Sequence, residues 1–203
     1  MKMKAFSQHG PCSAWLMAAI LPAGMALAQE PGTCPGPLAV PDAAVASPLA
    51  APVRLGQPAA DIQGVDATGA RINLARFKGQ VILLDVSTMW CVFCQEDTAP
   101  IQALYRTYGP KGLAVVTCLT EDVNGAAVTL AGLRQWTGTY HLTLPVMNDA
   151  SGVADGVAET AYVGVTDAFP TLVLIDRDFK VRYIQGGLDL DEVTARIKAL
   201  LAG

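Results

Sequence analysis

Three stretches of the chain are apolar at successive rather than alternate positions: Val81-Ile-Leu-Leu-Asp-Val, Leu113-Ala-Val-Val-Thr-Cys-Leu and Thr171-Leu-Val-Leu-Ile-Asp. Runs of that length and character predict strands buried on both faces. Between them the apolar positions spread to helical spacing. A helix is predicted from near Cys91 through Ile101 to Tyr108, ended by Pro110 and Gly112. A second covers Ala126 to Trp136. Leu142 to Val146 reads as a short strand before a turn at Asn148-Asp149, and Val153 to Tyr162 as a further helix weakened by Gly156. After the third long strand, Arg177 to Lys180 turn the chain into Val181 to Ile184 as an antiparallel hairpin. Gly186-Gly187 punctuates, and Asp189 is placed to cap a final helix to Leu201. In that helix Leu190, Val193, Ile197, Leu200 and Leu201 recur on one face.

Upstream, Asp61 to Leu74 reads as a short hairpin, with turn residues from Asp66 to Gly69 between two apolar alternations. The full order is hairpin, β, α, β, α, β, α, β, β, α. Strands alternating with helices predict an α/β fold: a central mixed β-sheet with helices on both faces and an extra N-terminal β-hairpin. The closing hairpin supplies antiparallel edge strands.

The first fifty residues follow a different logic. Lys2 and Lys4 form a positive region, Ala14 to Leu21 an apolar one, and Ala26-Leu27-Ala28 a small-x-small cleavage site before Gln29. That order reads as a secretory signal peptide over residues 1–28, cleaved after Ala28, with an uncleaved segment that stays as a membrane anchor as the alternative. Residues 29–53 carry Pro31, Pro35, Pro37, Pro41, Pro48 and Pro52 among Ala and Gly, and read as a disordered tether. The folded domain spans 54–203. Export places it in the periplasm or outside the cell.

Composition then narrows the function. The 203 residues carry a formal net charge of −4, which gives no electrostatic footprint for nucleic acid. No apolar stretch reaches the roughly twenty residues of a spanning helix. Removing the signal peptide removes Cys12 and His9 and leaves Cys34, Cys91, Cys94 and Cys118 with His141 alone. A two-Cys two-His zinc site cannot be built from that set, and a histidine-assisted nucleophile would have to use His141.

Trp90-Cys91-Val92-Phe93-Cys94 follows a buried strand and opens a helix. Two thiols three residues apart at a helix start can close a disulfide with little backbone movement. The first sits where unpaired N–H groups and the helix dipole favour negative charge, so Cys91 is expected to have a depressed pKa and to act as the nucleophile. Cys94, one turn in, points toward the core as the resolving thiol. The cycle is attack on a disulfide sulfur, a mixed disulfide, then internal release. The cysteines themselves cycle, so no metal or organic cofactor is implied.

Val81 to Cys94 resembles the active-site strand and helix of thioredoxin-fold proteins, and Ala168-Phe-Pro-Thr-Leu-Val-Leu-Ile-Asp resembles their cis-proline loop and following strand. With the signal peptide, the hairpin ending at Leu74 and the extra strand at Leu144-Pro-Val-Met-Asn-Asp, the chain is similar to the TlpA/ResA-like branch of extracytoplasmic disulfide reductases. The likeness implies a cis bond before Pro170 facing the dithiol. It implies a Phe169 backbone that pairs with a substrate chain, with Trp90 in the same docking surface. Asp85 lies six residues before Cys91, where thioredoxins carry a buried acid. Burial in an apolar run would raise its pKa and let it take the proton of Cys94. Asp97, three residues after Cys94, stands where the branch often has Glu and would tune the thiols, with Glu96 as a competing acid. The branch often has Pro where this chain has Phe93, and Pro100 stands one position later than its usual proline. The likeness further implies a monomer acting on protein disulfides, such as those of apocytochromes or misfolded secreted proteins, within cytochrome c biogenesis and redox homeostasis. A redox partner, such as a membrane electron donor, would regenerate it.

Two other functions use the same residues. A peroxiredoxin-like peroxidase would place Pro-x-x-x-Thr before its cysteine and an Arg close in space; Thr88 is present without such a Pro. A copper chaperone would use Cys91 and Cys94 as soft ligands, though related chaperones use a longer spacing and a distal His. Cys118, inside a strand, reads as a small buried hydrophobe, Cys34 as an exposed thiol in the tether, and His141 as a surface residue. Val92-Phe93 adds no positive group beside Cys91, so the sequence leaves the redox direction open.

Overall fold

A computed structural model describes residues 51–150 and 156–203. The segment read as a signal peptide at 1–28, most of that read as a tether at 29–53, and Cys34 lie outside the described residues.

The three apolar runs form the centre of one five-stranded sheet. They are β3 (Val81–Ser87), β4 (Leu113–Leu119) and β6 (Thr171–Ile175), and every residue in them is buried. With β5 (Val146–Asn148) and β7 (Val181–Gly186) the spatial order is β5-β4-β3-β6-β7. β3, β4 and β5 run parallel, whereas β6 and β7 are antiparallel to their neighbours. The closing hairpin therefore supplies one edge strand, not two. β6 lies inside the sheet between β3 and β7, as its apolar positions on both faces require.

One face carries α1 (Val92–Tyr108), α2 (Leu130–Thr139) and α5 (Leu190–Ala202). Ile101, Leu133, Trp136, Val193 and Ile197 from these helices pack on Val81, Leu83, Val115, Leu172 and Leu174. The opposite face is covered by the hairpin β1 (Gln63–Val65) and β2 (Arg71–Asn73) and by a helical segment at 156–166. That segment comprises α3 (Gly156–Ala158), a π-helical turn (Glu159–Val163) and α4 (Gly164–Thr166). Tyr162, fully buried, donates its hydroxyl to the Ala60 carbonyl at 2.7 Å. Asp189 caps α5 through the Glu192 N–H, as its side chain predicts.

Three predicted elements move. The helix expected from Ala126 starts at Leu130. The Asp122 carboxylate takes the N–H groups of Asn124 and Ala126, which holds that stretch in a turn, and Thr129 is the true cap. The strand expected over Leu142 to Val146 is Val146–Asn148. Leu142 and Leu144 are buried and alternate as read, but the Gln102 side chain accepts from the N–H groups of Thr143 and Leu144. Pro145 then has no N–H to give a ladder. The helix expected to stop at Tyr162 runs on to Thr166, where Asp167 ends it in the left-handed conformation.

The hairpin docks on β5 through a contact only glycine permits. A Cβ on Gly64 would fall 1.9 Å from the Asn148 carbonyl oxygen. Asn148 also accepts from Val65 N–H and donates to the Val128 carbonyl, tying three segments together. Gly64→Ala is expected to destabilise the fold by about 2 kcal/mol or more, as overpacking against backbone does. A urea midpoint within error of wild type would refute this.

Candidate active site

Strand β3 ends at Ser87, and three residues later Cys91 becomes the N-cap of α1. Its backbone is extended, and its sulfur accepts the Cys94 N–H at 3.2 Å. A thiol thus occupies the place usually held by Ser, Thr or Asp, at the end of the helix where anions are favoured. Cys91 and Cys94 are both free thiols in the structure. Burial raises the Cys94 pKa strongly, and the hydrogen bond to Cys91 and the nearby Asp85 charge add to it. The Thr88 backbone and the Ser87 side chain oppose that rise.

The second wall is the loop before β6. The Phe169–Pro170 bond is cis, and the Phe169 carbonyl faces the Cys91 thiol at 3.7 Å. Local hydroxyls hold this loop: Thr166 and Thr171 share a 2.5 Å contact, and Thr171 donates to the Ala168 carbonyl at 2.7 Å. Gly186 on β7 lets the loop lie flat, since a Cβ there would sit 2.8 Å from that of Ala168.

Between the walls lies an open groove of about 550 Å³ around Cys91. Trp90, Val92, Phe93, Val163 and Phe169 line it, and its charged residue is Asp167. Trp90, Val92 and Phe93 are exposed by 47%, 60% and 69%, which is unusual for large apolar side chains next to one another. Trp90 meets Phe169 edge to face at 5.8 Å and donates its indole N–H to Glu121 at 2.5 Å. These apolar side chains thus meet around the thiol, and no Lys or Arg lines the groove.

Beneath the thiols, Asp85 is buried on the α1 face of β3. Ser87 donates to one carboxylate oxygen at 2.5 Å and Thr117 to the other at 2.9 Å. The Asp85 pKa is pushed up to about 6, chiefly by burial, against these two hydrogen bonds and with help from the Asp97 charge. Asp97 is half-buried on α1, with its own pKa raised by burial and by the charge of Glu96. Its charge bears on Asp85. Cys118 packs with Ile82, Leu84 and Val86 on the other face of the sheet, away from α1. His141 is exposed just past α2. Among the described residues, no group of three or more His, Cys, Asp or Glu is placed to hold a metal ion.

Sequence reading passed over Ser87, Thr117, Glu121 and the Thr166–Thr171 pair. A signal existed for the first: in a strand, residues two apart share a face, so Asp85 and Ser87 had to point the same way. Thr117 joins them only through the β3–β4 register, which pairs it with Asp85.

Comparison with known proteins gives a consistent picture. The AhpC/TSA family profile matches residues 55–184. The thiol-disulfide oxidoreductase ResA of Bacillus thuringiensis subsp. konkukian is 30% identical over 129 residues, covering 64% of this chain and 68% of ResA. The thioredoxin domain of a thiol-disulfide oxidoreductase from Bacteroides vulgatus superposes with a TM-score of 0.61 at 20% identity, over 73% of this chain and 99% of that one. An exposed lipoprotein thioredoxin of Streptococcus pneumoniae superposes with a TM-score of 0.56 at 25% identity, over 70% of this chain and all of that one.

Proposed function

We propose that this chain, which belongs to the AhpC/TSA family and within it to the thioredoxin-fold thiol-disulfide oxidoreductases of the ResA type, reduces or exchanges disulfides in extended polypeptides outside the cytoplasm. The observation that carries this reading is the position of Cys91: its sulfur caps α1 at the floor of an apolar groove while Cys94 lies buried behind it. Attack by Cys91 on a substrate disulfide gives a mixed disulfide and releases one substrate thiolate. Cys94 then attacks the Cys91 sulfur, and the second substrate thiolate leaves. Two electrons pass from the dithiol to the substrate, and a donor outside this chain must return them.

The docking surface supports the choice of substrate. An extended chain offers apolar side chains and unpaired backbone together, which Trp90, Val92, Phe93 and the Phe169 backbone suit. In the dithiol, the Phe169 carbonyl accepts from the Cys91 thiol. The mixed disulfide has no such proton, so that carbonyl becomes free for a substrate N–H when substrate is attached. The peroxidase reading asked for an Arg beside the sulfur, whereas the charged group of the groove is the Asp167 carboxylate. The likeness to an exposed lipoprotein thioredoxin supports an extracytoplasmic location, and we assign export to the segment at 1–28.

The groove assignment predicts a selective loss. Val92→Glu with Phe93→Glu is expected to raise KM for a reducible unfolded protein about 10-fold, with little effect on a small disulfide such as that of glutathione. Each side chain loses most of an apolar burial. Equal effects on both substrates, or none on either, would remove the groove from substrate docking.

A further inference from the structure

We propose that Glu121 is a positioning residue for substrate docking: its carboxylate holds the Trp90 indole in place, and the held indole keeps the groove around Cys91 formed before a polypeptide enters it. The inference rests on the reading of that groove as the docking surface and names the residue that organises it.

The geometry begins with the strands. β3 lies between β4 and β6, so the loop that carries Trp90 and Cys91 has the loop after β4 on one side and the loop before β6 on the other. Trp90 meets both. Its indole N–H donates to a Glu121 carboxylate oxygen at 2.5 Å on the β4 side, and its ring packs edge to face on Phe169 at 5.8 Å on the β6 side. Phe169 is the residue whose carbonyl faces the Cys91 thiol at 3.7 Å. The indole thus links Glu121 to the wall of the groove that a substrate backbone would pair with.

Glu121 is itself fixed. The Met89 N–H donates to its carbonyl at 2.9 Å, and the Thr120 N–H before it donates to the Ser87 carbonyl at 3.0 Å. The Asp122 N–H after it donates to the Ala126 carbonyl at 2.7 Å. The backbone is therefore tied down on both sides of the residue, and two of these bonds run to the segment that leads into Trp90. A side chain on so firm a base can hold its partner to one geometry, as a preorganised site requires.

Trp90 has need of such a partner. It is 47% exposed, beside Val92 and Phe93, which are more exposed still. A free indole there would gain by lying over those neighbours, because burying apolar surface is favourable. It would then cover the groove that the substrate must enter. A hydrogen bond to a carboxylate is stronger than one between neutral groups, and the indole has a single N–H by which to be directed. Glu121 acts on Trp90, whereas the thiol exchange is carried by Cys91 and Cys94, so the loss of Glu121 is expected in KM rather than in kcat.

The test is steady-state reduction of a reducible unfolded protein, with dithiothreitol as the electron donor. Glu121→Ala is expected to raise KM about 5-fold and leave kcat within about 2-fold, because the ring must then be ordered when substrate binds. Glu121→Gln, whose amide oxygen still accepts from the indole, is expected to restore most of the affinity. Trp90→Phe removes the N–H, so adding Glu121→Ala to it should raise KM no further. The Trp90 indole N–H, assigned by NMR from its loss in Trp90→Phe, should exchange faster with solvent in Glu121→Ala. An unchanged KM in Glu121→Ala, with KM raised by Val92→Glu and Phe93→Glu, would overturn the positioning role and leave the groove reading standing. An unchanged KM in all of these variants would overturn both. A Gln variant as weak as Ala would put the effect on charge, and a further rise on adding Glu121→Ala to Trp90→Phe would put Glu121 in direct contact with substrate; either result would overturn the proposal. So would an indole exchange rate that Glu121→Ala does not move.

Discussion

Cys91→Ser is expected to reduce disulfide turnover to background, while Cys94→Ser accumulates protein–substrate mixed disulfides. The asymmetry comes from the helix start. The Cys91 sulfur receives the Cys94 N–H at 3.2 Å and stands at the positive end of α1, facing the groove. No other described thiol has that setting. Cys94 is 2% exposed, and burial holds its pKa far above the ordinary thiol range, so it stays a protonated thiol that external disulfides do not reach. Cys118 is fully buried on the other face of the sheet. Removing Cys91 therefore removes the attacking sulfur. Removing Cys94 leaves attack intact and deletes release, so the substrate stays attached. Insulin reduction by dithiothreitol reads the first effect. Non-reducing electrophoresis after mixing with a protein disulfide reads the second. Substantial activity in Cys91→Ser, or trapping by that variant instead of Cys94→Ser, would reverse the roles.

Much of this site is legible in the chain because its main parts are local. The dithiol, the strand before it and the loop at Phe169–Pro170 each lie within a few residues and carry their own patterns. Contributions that depend on register were hidden. Thr117 reaches Asp85 because β4 pairs with β3 at that residue, and Glu121 reaches Trp90 from a loop thirty-one positions on. Neither distance follows from periodicity. The misplacement of β5 has a similar origin. Leu142 and Leu144 alternate as a strand would, but the Gln102 side chain satisfies the backbone between them. A local pattern cannot report a hydrogen bond supplied from forty-one positions away.

Asp85→Asn is expected to stabilise the protein at pH 7 by about 3 kcal/mol and to slow turnover about 10-fold. The stability part follows from linkage. The carboxyl titrates near 3.8 when unfolded and at about 6 when folded, because burial disfavours its charge. The folded pKa lies above the unfolded one, so the ionised form destabilises the native state. That penalty is fully present above pH 6, shrinks as the pH falls toward 4, and is absent below the unfolded value. At 1.36 kcal/mol per tenfold difference in proton affinity, it comes to about 3 kcal/mol at neutral pH. Asn keeps the shape, and the Ser87 and Thr117 hydroxyls can turn to accept from its amide. The advantage of Asn over Asp should therefore be largest near pH 7.5 and fall below about 1 kcal/mol near pH 4. The kinetic part has the opposite sign for the protein: the amide takes no proton, so Cys94 loses its acceptor during resolution. Urea unfolding at both pH values and turnover across pH 5 to 8 measure the two effects. A variant equal to wild type in stability at pH 7.5 and in turnover would mean that the carboxyl neither bears a desolvation cost nor handles the proton. A stabilised variant with unchanged turnover would keep the cost and discard the proton transfer.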